Sequence, residues 1–302
     1  YDERSQAGFL MNIVVKNAFG TGQVMVVLVT NGARFAGGRA CGRQFAERIA
    51  DQFPEVRSVV QLIVNAAGDT QYVARGISRN GKASMGSNRP EGNAIVLWGE
   101  PAIVDVLDGL KFRVSATSFF QVNPSQTVTL YRKAVEYAGL TGRERVLDAY
   151  CGVGAVSLFM AGAAREVYGI ESVRDAVHDA RANAELNAIT NARFVEGRVE
   201  QVLPTLLHDG IAFDVAIVDP PRAGCDREAL LTLAGEATES GGTRALGGVP
   251  RIVYISCNPS TLARDLAILS GLGYRTAEVQ PVDMFPHTHH VETVVLMSRV
   301  KA

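Results

Sequence analysis

From Pro124 onward the sequence alternates between apolar runs and amphipathic segments, and this alternation constrains the fold more than any other feature. Ser125–Ala138 predicts a helix that leads into a strand at Arg145–Ala149. Further strands are predicted at Val167–Ile170, Ala192–Val195, Phe213–Val218, Arg251–Ser256, Arg275–Val282 and Val291–Arg299, with helical patterns between the first five of these six. Strands that alternate with helices form a mostly parallel sheet covered on both faces. No helical pattern separates the last two strands, so the final one is predicted to run antiparallel, at or beside the edge.

The first third of the chain reads as short strands with turn signals. Asn12–Lys16 and Gln23–Thr30 flank a Gly-containing hairpin loop at residues 18–22. The remaining predictions are a helix at Gly42–Phe53, a loop at Asn80–Asn93, and strands at Val56–Asn65, Ala94–Trp98, Ile103–Leu107 and Lys111–Ser115. We therefore expect an α+β module with mostly antiparallel pairing at residues 1–117, followed by an α/β domain at residues 118–302.

Composition excludes several classes of protein. The four cysteines lie far apart with no CxxC pair, which argues against zinc, iron–sulfur clusters and a disulfide framework. No apolar run reaches the roughly eighteen residues that span a membrane, and no export signal is visible, so we expect a cytoplasmic protein. The chain begins at Tyr1 rather than Met, which is consistent with a missing N-terminal part. A net charge of −1 counts against nucleic-acid binding, although a local basic patch is compatible with it.

The strand at Arg145–Ala149 runs into a glycine-containing loop that ends at Gly152-Val153-Gly154. Glycines here let a ligand approach the backbone, and Glu171, 23 residues after Asp148, can accept hydrogen bonds from both hydroxyls of an adenosine ribose. Ser157 stands where a dinucleotide site usually has its third glycine, which weakens the dinucleotide alternative. A loop that serves only the fold is the remaining alternative.

Two further strand ends carry candidate chemistry. The strand Phe213–Val218 runs into Asp219-Pro220-Pro221-Arg222, whose prolines make a rigid turn. The next strand delivers Cys257 to the same rim, where partial exposure and a nearby Arg222 favour a thiolate. A buried, inert cysteine is the alternative. Cys225 ranks second as nucleophile, Cys151 is placed beside the cofactor, and no chemistry is assigned to Cys41.

The segment at residues 284–292 contains three histidines within four positions. Metal binding is disfavoured because no Cys or acid stands at ligand spacing and the run leads into a strand, where alternate side chains diverge. Glu292 at the start of that strand is a candidate base.

Five motifs together resemble the RNA 5-methyluridine methyltransferases. They are Ser-Phe-Phe-Gln-Val-Asn at 118–123, Asp-Ala-Tyr-Cys-Gly-Val-Gly at 148–154, Asp-Pro-Pro-Arg at 219–222, Ser-Cys-Asn-Pro at 256–259 and His-Val-Glu-Thr at 290–293. The extended versions Asp-Pro-Pro-Arg-Ala-Gly-Cys and Phe-Pro-His-Thr-His-His-Val-Glu resemble the 23S ribosomal RNA branch more than the transfer RNA branch. The resemblance implies an α/β, class I methyltransferase-like Rossmann sheet after the smaller α+β module.

The resemblance also implies roles for individual residues. Cys257 would be the nucleophile and Glu292 the base. The residues implied to contact S-adenosylmethionine are Gln121, Tyr150, Gly152, Glu171 and Asp219. Family members often carry a β-barrel RNA-binding domain, and some an iron–sulfur cluster; neither is found in this sequence, and no cluster is expected within the chain.

The chemistry of uracil explains why such residues would be needed. A thiolate that adds at carbon 6 makes carbon 5 nucleophilic enough to take a methyl group, and a base then removes the carbon 5 proton. We therefore predict methylation of a flipped-out uridine in single-stranded or looped RNA, most simply 23S rRNA, with Phe119 and Arg222 holding the base and no metal. The alternatives are an RNA cytosine-5 methyltransferase, a tRNA uridine-5 methyltransferase and a non-catalytic RNA-binding relative. The oligomeric state stays open, with a monomer favoured.

Overall fold

The computed structural model describes residues 1–64 except positions 3, 6, 33, 34 and 36, and residues 93–236 and 248–300. The chain divides into two compact units, Tyr1–Phe120 and Gln121–Ala302. The predicted boundary lies three residues earlier, at 117/118. The predicted loop at Asn80–Asn93 lies outside the described residues except for Asn93, which begins a strand.

The first unit contains a four-stranded sheet and a separate hairpin. Its elements are β1 Leu10–Ala18, β2 Gln23–Asn31, α1 Gly38–Gln52, β3 Val56–Val64, β4 Asn93–Gly99, β5 Ala102–Leu107 and β6 Leu110–Ser115. The sheet order is β1-β2-β3-β4, in which β2 and β3 are parallel because α1 crosses between them. The other pairings, including β5 with β6, are antiparallel. The pairing is therefore mostly antiparallel, with a parallel pair that the strand patterns did not reveal.

Helix α1 begins four residues before its predicted start. Gly37 takes a left-handed conformation, with φ 93°, immediately before the helix. Gly42 lies inside the helix. A glycine is needed there because a Cβ atom would come within 2.8 Å of the Phe35 ring. Close packing thus explains Gly42, which the sequence pattern predicts as the first residue of the helix.

The described residues of the second unit form a seven-stranded sheet and six helices. Its elements are α2 Pro124–Ala138, β7 Arg145–Ala149, α3 Ala155–Ala161, β8 Glu166–Glu171, α4 Arg174–Leu186, β9 Ala192–Glu196, α5 Val199–His208, β10 Val215–Val218, α6 Arg227–Leu233, β11 Arg251–Ser256, α7 Pro259–Gly271, β12 Tyr274–Val282 and β13 Glu292–Arg299. The strand order is β12-β13-β11-β10-β7-β8-β9.

Only β13 runs against its neighbours in this sheet, pairing antiparallel with β11 and β12. The prediction of a mostly parallel sheet with an antiparallel last strand is confirmed, and β13 lies beside the edge strand β12. The chain moves outward from β7 through β8 to β9 and then returns to β10 on the other side of β7. Such a reversal opens a crevice at the carboxyl ends of the strands, where open α/β sheets bind ligands.

The central strands are fully buried. Leu147, Ile217 and Tyr254 have no exposed surface, as expected for strands covered by helices on both faces. This packing fixes the strand ends and therefore the first residues of the loops that follow them.

Candidate active site

The loop after β7 has an unusual backbone that opens one side of the crevice. Tyr150, Gly152 and Gly154 all have positive φ values, of 68°, 55° and 80°. A side chain at Gly152 would meet no atom within 4 Å, whereas one at Gly154 would come within 2.9 Å of the Phe194 ring. Gly154 is therefore needed for packing, and Gly152 leaves the backbone accessible to a ligand.

Glu171 lies at the end of β8, beside this loop. Its carboxylate accepts hydrogen bonds from the Gly152 amide at 3.2 Å and the Val173 amide at 2.7 Å. The side chain is thus oriented toward the glycine loop, in the position that the sequence predicted for a ribose acceptor.

Asp148 is a feature of this site that the sequence did not single out. The side chain is buried, and Ser157 Oγ donates to its Oδ2 at 2.5 Å. Its Oδ1 has no hydrogen-bond partner. The pKa of Asp148 is raised to about 7: burial raises it most, hydrogen bonds from Ser157 oppose this, and the nearby Glu171 adds to the increase. A buried carboxylate oxygen without a donor indicates a place for a donor or cation.

Asp219 follows β10 and lies on the other side of the crevice. Burial first, then Glu292 and Asp148, raise the pKa of Asp219 well above its usual range. The Tyr131 side chain of α2 is buried here and is hydrogen-bonded to Gln121, and burial and these three carboxylates raise the pKa of its hydroxyl. The Tyr131 hydroxyl therefore contacts Gln121 close to these carboxylates, a position that the helical pattern of Ser125–Ala138 did not indicate.

The register of β11 and β13 brings Cys257 and Glu292 together. Ser256 pairs with Thr293, and the same register continued by one residue places Cys257 opposite Glu292. Side chains at directly opposite positions of an antiparallel pair are neighbours. Cys257 is partly exposed, whereas Glu292 is buried.

The electrostatics at Cys257 correct the expectation of a thiolate. Burial, then Glu292 and Asp219, raise the pKa of the Cys257 thiol, while Arg222 hydrogen-bonds to it and lowers the pKa. The arginine acts as expected, but burial and the two carboxylates outweigh it. Burial also raises the pKa of Glu292 to about 7, against the opposing effect of Arg222. Burial and the clustered carboxylates therefore make the loss of a proton from this site more costly.

Helix α7 holds the loop that carries Arg222. Asn258 caps this helix and donates from Nδ2 to the Arg222 carbonyl at 3.0 Å, and Thr261 Oγ1 donates to the same oxygen at 3.1 Å. Arg264 donates to the Ala223 carbonyl at 2.9 Å. The Asn-Pro turn after Cys257 therefore fixes both the cysteine and the facing arginine loop.

The structure separates Cys257 from the other cysteines. Cys225 is buried, its Sγ lies 3.5 Å from the Tyr254 hydroxyl, and burial raises its pKa to about 12. Cys151 is also buried, beside the glycine loop, and Cys41 is exposed in the first unit. Cys257 is thus the one partly exposed cysteine among the described residues of the second unit.

The remaining candidates are placed as follows. Phe119 is exposed and belongs to the first unit, in which Phe120 packs against Phe112 with ring centroids 5.7 Å apart. In the described part of the chain no group of His, Cys, Asp and Glu side chains is arranged to hold a metal ion. Within the same residues, no helix is long and apolar enough to cross a bilayer.

Comparison with known proteins points to one family. The sequence profile described as tRNA (Uracil-5-)-methyltransferase matches residues 106–300. A protein of Caldanaerobacter subterraneus subsp. tengcongensis named as an uncharacterized RNA methyltransferase is 44% identical over 99% of this chain and 59% of its own length. A Bacillus cereus protein with the same description is 44% identical over 100% of this chain and 58% of its own.

Solved structures agree. The tRNA (uracil-54, C5)-methyltransferase of Pyrococcus abyssi, in complex with S-adenosyl-L-homocysteine, is 30% identical with a TM-score of 0.71 over 97% of this chain and 61% of that one. The tRNA m1G37 methyltransferase of M. jannaschii, 12% identical with a TM-score of 0.52 over 99% of this chain and 79% of that one, shares the fold. The chain spans about three fifths of the length of the curated relatives it matches.

Proposed function

Because the chain belongs to the tRNA (uracil-5-)-methyltransferase family, we propose that it methylates carbon 5 of a uridine in RNA with S-adenosylmethionine as methyl donor. We further propose that Cys257 forms a covalent bond to the uracil and that the target lies in 23S rRNA. The rRNA target is supported by the versions of the motifs at 219–225 and 285–292, which resemble the ribosomal RNA branch.

The observation that carries the proposal is a crevice with carboxylates whose charges are uncompensated. Asp148, Asp219 and Glu292 all have raised pKa values, and Arg222 opposes this shift at Glu292. Such a site favours a ligand with its own positive charges. S-adenosylmethionine has two, an ammonium and a sulfonium, and its ribose hydroxyls suit Glu171.

The residues divide the reaction between them. S-adenosylmethionine would supply an electrophilic methyl group, with its sulfur–methyl bond breaking to leave S-adenosylhomocysteine. Cys257 adds as thiolate to carbon 6 of the uracil, so a carbon–sulfur bond forms and the electron pair moves to carbon 5, which accepts the methyl group. Glu292 then takes the proton from carbon 5, and the electron pair left behind expels the Cys257 sulfur as thiolate. The register of β11 and β13, continued by one residue beyond its last pair, sets Cys257 opposite Glu292, which suits attack and proton removal on adjacent carbons.

The raised pKa values fit this order of events. A positive charge bound beside Cys257 favours its thiolate, so the nucleophile is formed after the methyl donor binds. Glu292, with a pKa of about 7, is poised to accept a proton near neutral pH and to lose it again. Arg222, held by α7 against Cys257, stabilises negative charge on sulfur.

The test is nucleoside mass spectrometry after incubation with unmodified transcripts of 23S rRNA and, separately, of tRNA. We expect 5-methyluridine in the 23S rRNA reaction and none with Cys257→Ala. Methylation of tRNA alone would contradict the rRNA target, and 5-methylcytidine would contradict the uridine assignment. S-adenosylmethionine binding without methyl transfer to either RNA would favour a non-catalytic relative.

A further inference from the structure

The segment between β12 and β13 presents histidines that the methylation chemistry does not use. It leads into Glu292, and its start is held by the residue before α2, since Asn123 Nδ2 donates to the Met284 carbonyl at 3.1 Å. Within it, Thr288 Oγ1 donates to the Phe285 carbonyl at 2.8 Å, and the His290 amide donates to Thr288 Oγ1 at 3.2 Å. The histidines therefore stand on a fixed turn at the rim of the site.

Two of these imidazoles pack against each other in a tilted arrangement. The rings of His289 and His290 have centroids 4.1 Å apart and planes inclined by 38°, and Phe285 contacts His290 edge-on at 6.2 Å. His289 is exposed and His290 is partly exposed. A flat, exposed ring beside a site for a flipped nucleotide is a surface on which a neighbouring base can stack.

The charges around the pair favour an anion. The charged groups that act on His290 are His289 from its own segment and Arg222 from the loop after β10; together with burial they lower the pKa of His290. His178 and His208 each lie within 4 Å of an aspartate. No such ion pair is formed by the histidines at 287, 289 and 290 with any carboxylate of the described residues. The cationic groups at this edge are therefore Arg222, whose acidic neighbour is Glu292, and the imidazoles when they are protonated.

We propose that His289, His290 and Arg222 form a rim that binds the RNA phosphodiester next to the target uridine, with His289 stacking on the adjoining base. This inference rests on the proposed function. A phosphate beside the imidazoles favours their charged form, so RNA binding takes up protons and RNA affinity rises as the pH falls toward 6. The rim also explains how a chain with net charge −1 can bind RNA locally.

The experiment measures the binding of fluorescein-labelled decauridylate by fluorescence anisotropy at constant ionic strength, at about pH 6 and about pH 8. The wild-type chain should bind about five- to tenfold more tightly at the lower pH. The double variant His289→Asn/His290→Asn should lose most of this difference. The matched control, His178→Asn/His208→Asn, removes two exposed histidines from the same unit and should keep it.

An equal pH dependence of decauridylate binding in both double variants would contradict the proposed role of the rim. Inorganic phosphate serves as a second probe, with the imidazole proton NMR shifts of His289 and His290 as readout. Saturation by phosphate as tight as by decauridylate would indicate a free-phosphate site and also contradict the proposal. Methylation of the transcripts is measured in the same preparations. Proton-linked RNA binding without methylation would support the rim and contradict the proposed function. Methylation together with an unchanged pH dependence in the His289/His290 variant would support the proposed function and contradict the rim.

Discussion

Replacement of Asp148 by Asn tests whether the crevice is built for a cation at the expense of stability. In the folded chain the pKa of Asp148 is raised from 3.8 to about 7, mainly by burial. A raised carboxyl pKa means that the folded state binds the proton more tightly than the unfolded state. The buried carboxyl therefore does not affect the free energy of unfolding below pH 3.8. As the pH rises this free energy decreases, and the decrease is complete above about pH 7.

The size of the effect follows from this difference. A change from 3.8 to about 7 corresponds to roughly 4 kcal/mol, and local relaxation around the ionised group makes about 2–4 kcal/mol the expected range. Asp148→Asn keeps the shape and an acceptor for Ser157, and it removes the titration. The variant should therefore be more stable than wild type by that amount at about pH 8, and much closer to it at about pH 5.

The assay is urea unfolding followed by far-ultraviolet circular dichroism at both pH values. Trp98 lies in the first unit, so tryptophan fluorescence would not report on this site. Asp209→Asn, which removes an exposed carboxylate from the same unit, should leave stability unchanged at either pH. An Asp148→Asn variant that is destabilised more at pH 8 than at pH 5 would refute the reasoning, because it would mean that the ionised carboxylate is stabilised in the fold.

Three further predictions concern the ligands and the cysteines. Asp148→Asn and Glu171→Ala should both weaken S-adenosylmethionine binding in calorimetry. For Glu171→Ala the expected loss is about 1.5–3 kcal/mol, the scale of hydrogen bonds to a charged group. Equal affinity in a folded Glu171→Ala variant would place the ribose elsewhere. With the exposed cysteine of the first unit replaced, Glu292→Gln should speed iodoacetamide alkylation of Cys257 about two- to threefold and Arg222→Gln should slow it, since a lower thiol pKa gives more thiolate of slightly lower reactivity; changes of the same sign would indicate general loosening. Cys257→Ala should abolish turnover while S-adenosylmethionine still binds, and Cys225→Ser should keep most activity, so inactivity of the second variant alone would reverse the assignment.

The placement of the site could be predicted because strand ends are local features. Apolar runs that stop at Asp219 and Cys257 show where each strand ends, and parallel strands bring their carboxyl ends to one edge. The same reasoning located Glu171. These predictions needed only the pattern of each strand and the rule that the sheet is parallel.

What the sequence could not give depends on contacts between distant segments. Tyr131 looks like a core residue of an amphipathic helix, and its neighbours are revealed only by the packing of α2 near β10 and β13. The raised pKa of the Cys257 thiol could not be expected from the sequence, because the motifs indicate Arg222 as a neighbour but do not show that Glu292 and Asp219 also act on the cysteine.

The parallel pairing of β2 with β3 was missed for a similar reason. Each strand was recognised, but α1 between them was not read as a crossover, which would have indicated parallel neighbours. The existence of a strand follows from its local sequence pattern, whereas the order of strands in a sheet depends on how the connecting segments pack.

The most direct test of the central claim is a search for the covalent RNA complex of Glu292→Gln. Without its base, the variant can attack and methylate the uracil but cannot remove the carbon 5 proton, so the Cys257 sulfur stays attached. End-labelled 23S rRNA transcript and S-adenosylmethionine carrying a labelled methyl group should together give a denaturation-resistant band with both labels. The double variant Cys257→Ala/Glu292→Gln should give none. Normal turnover by Glu292→Gln with no trapped band, or a band that persists without Cys257, would contradict the account.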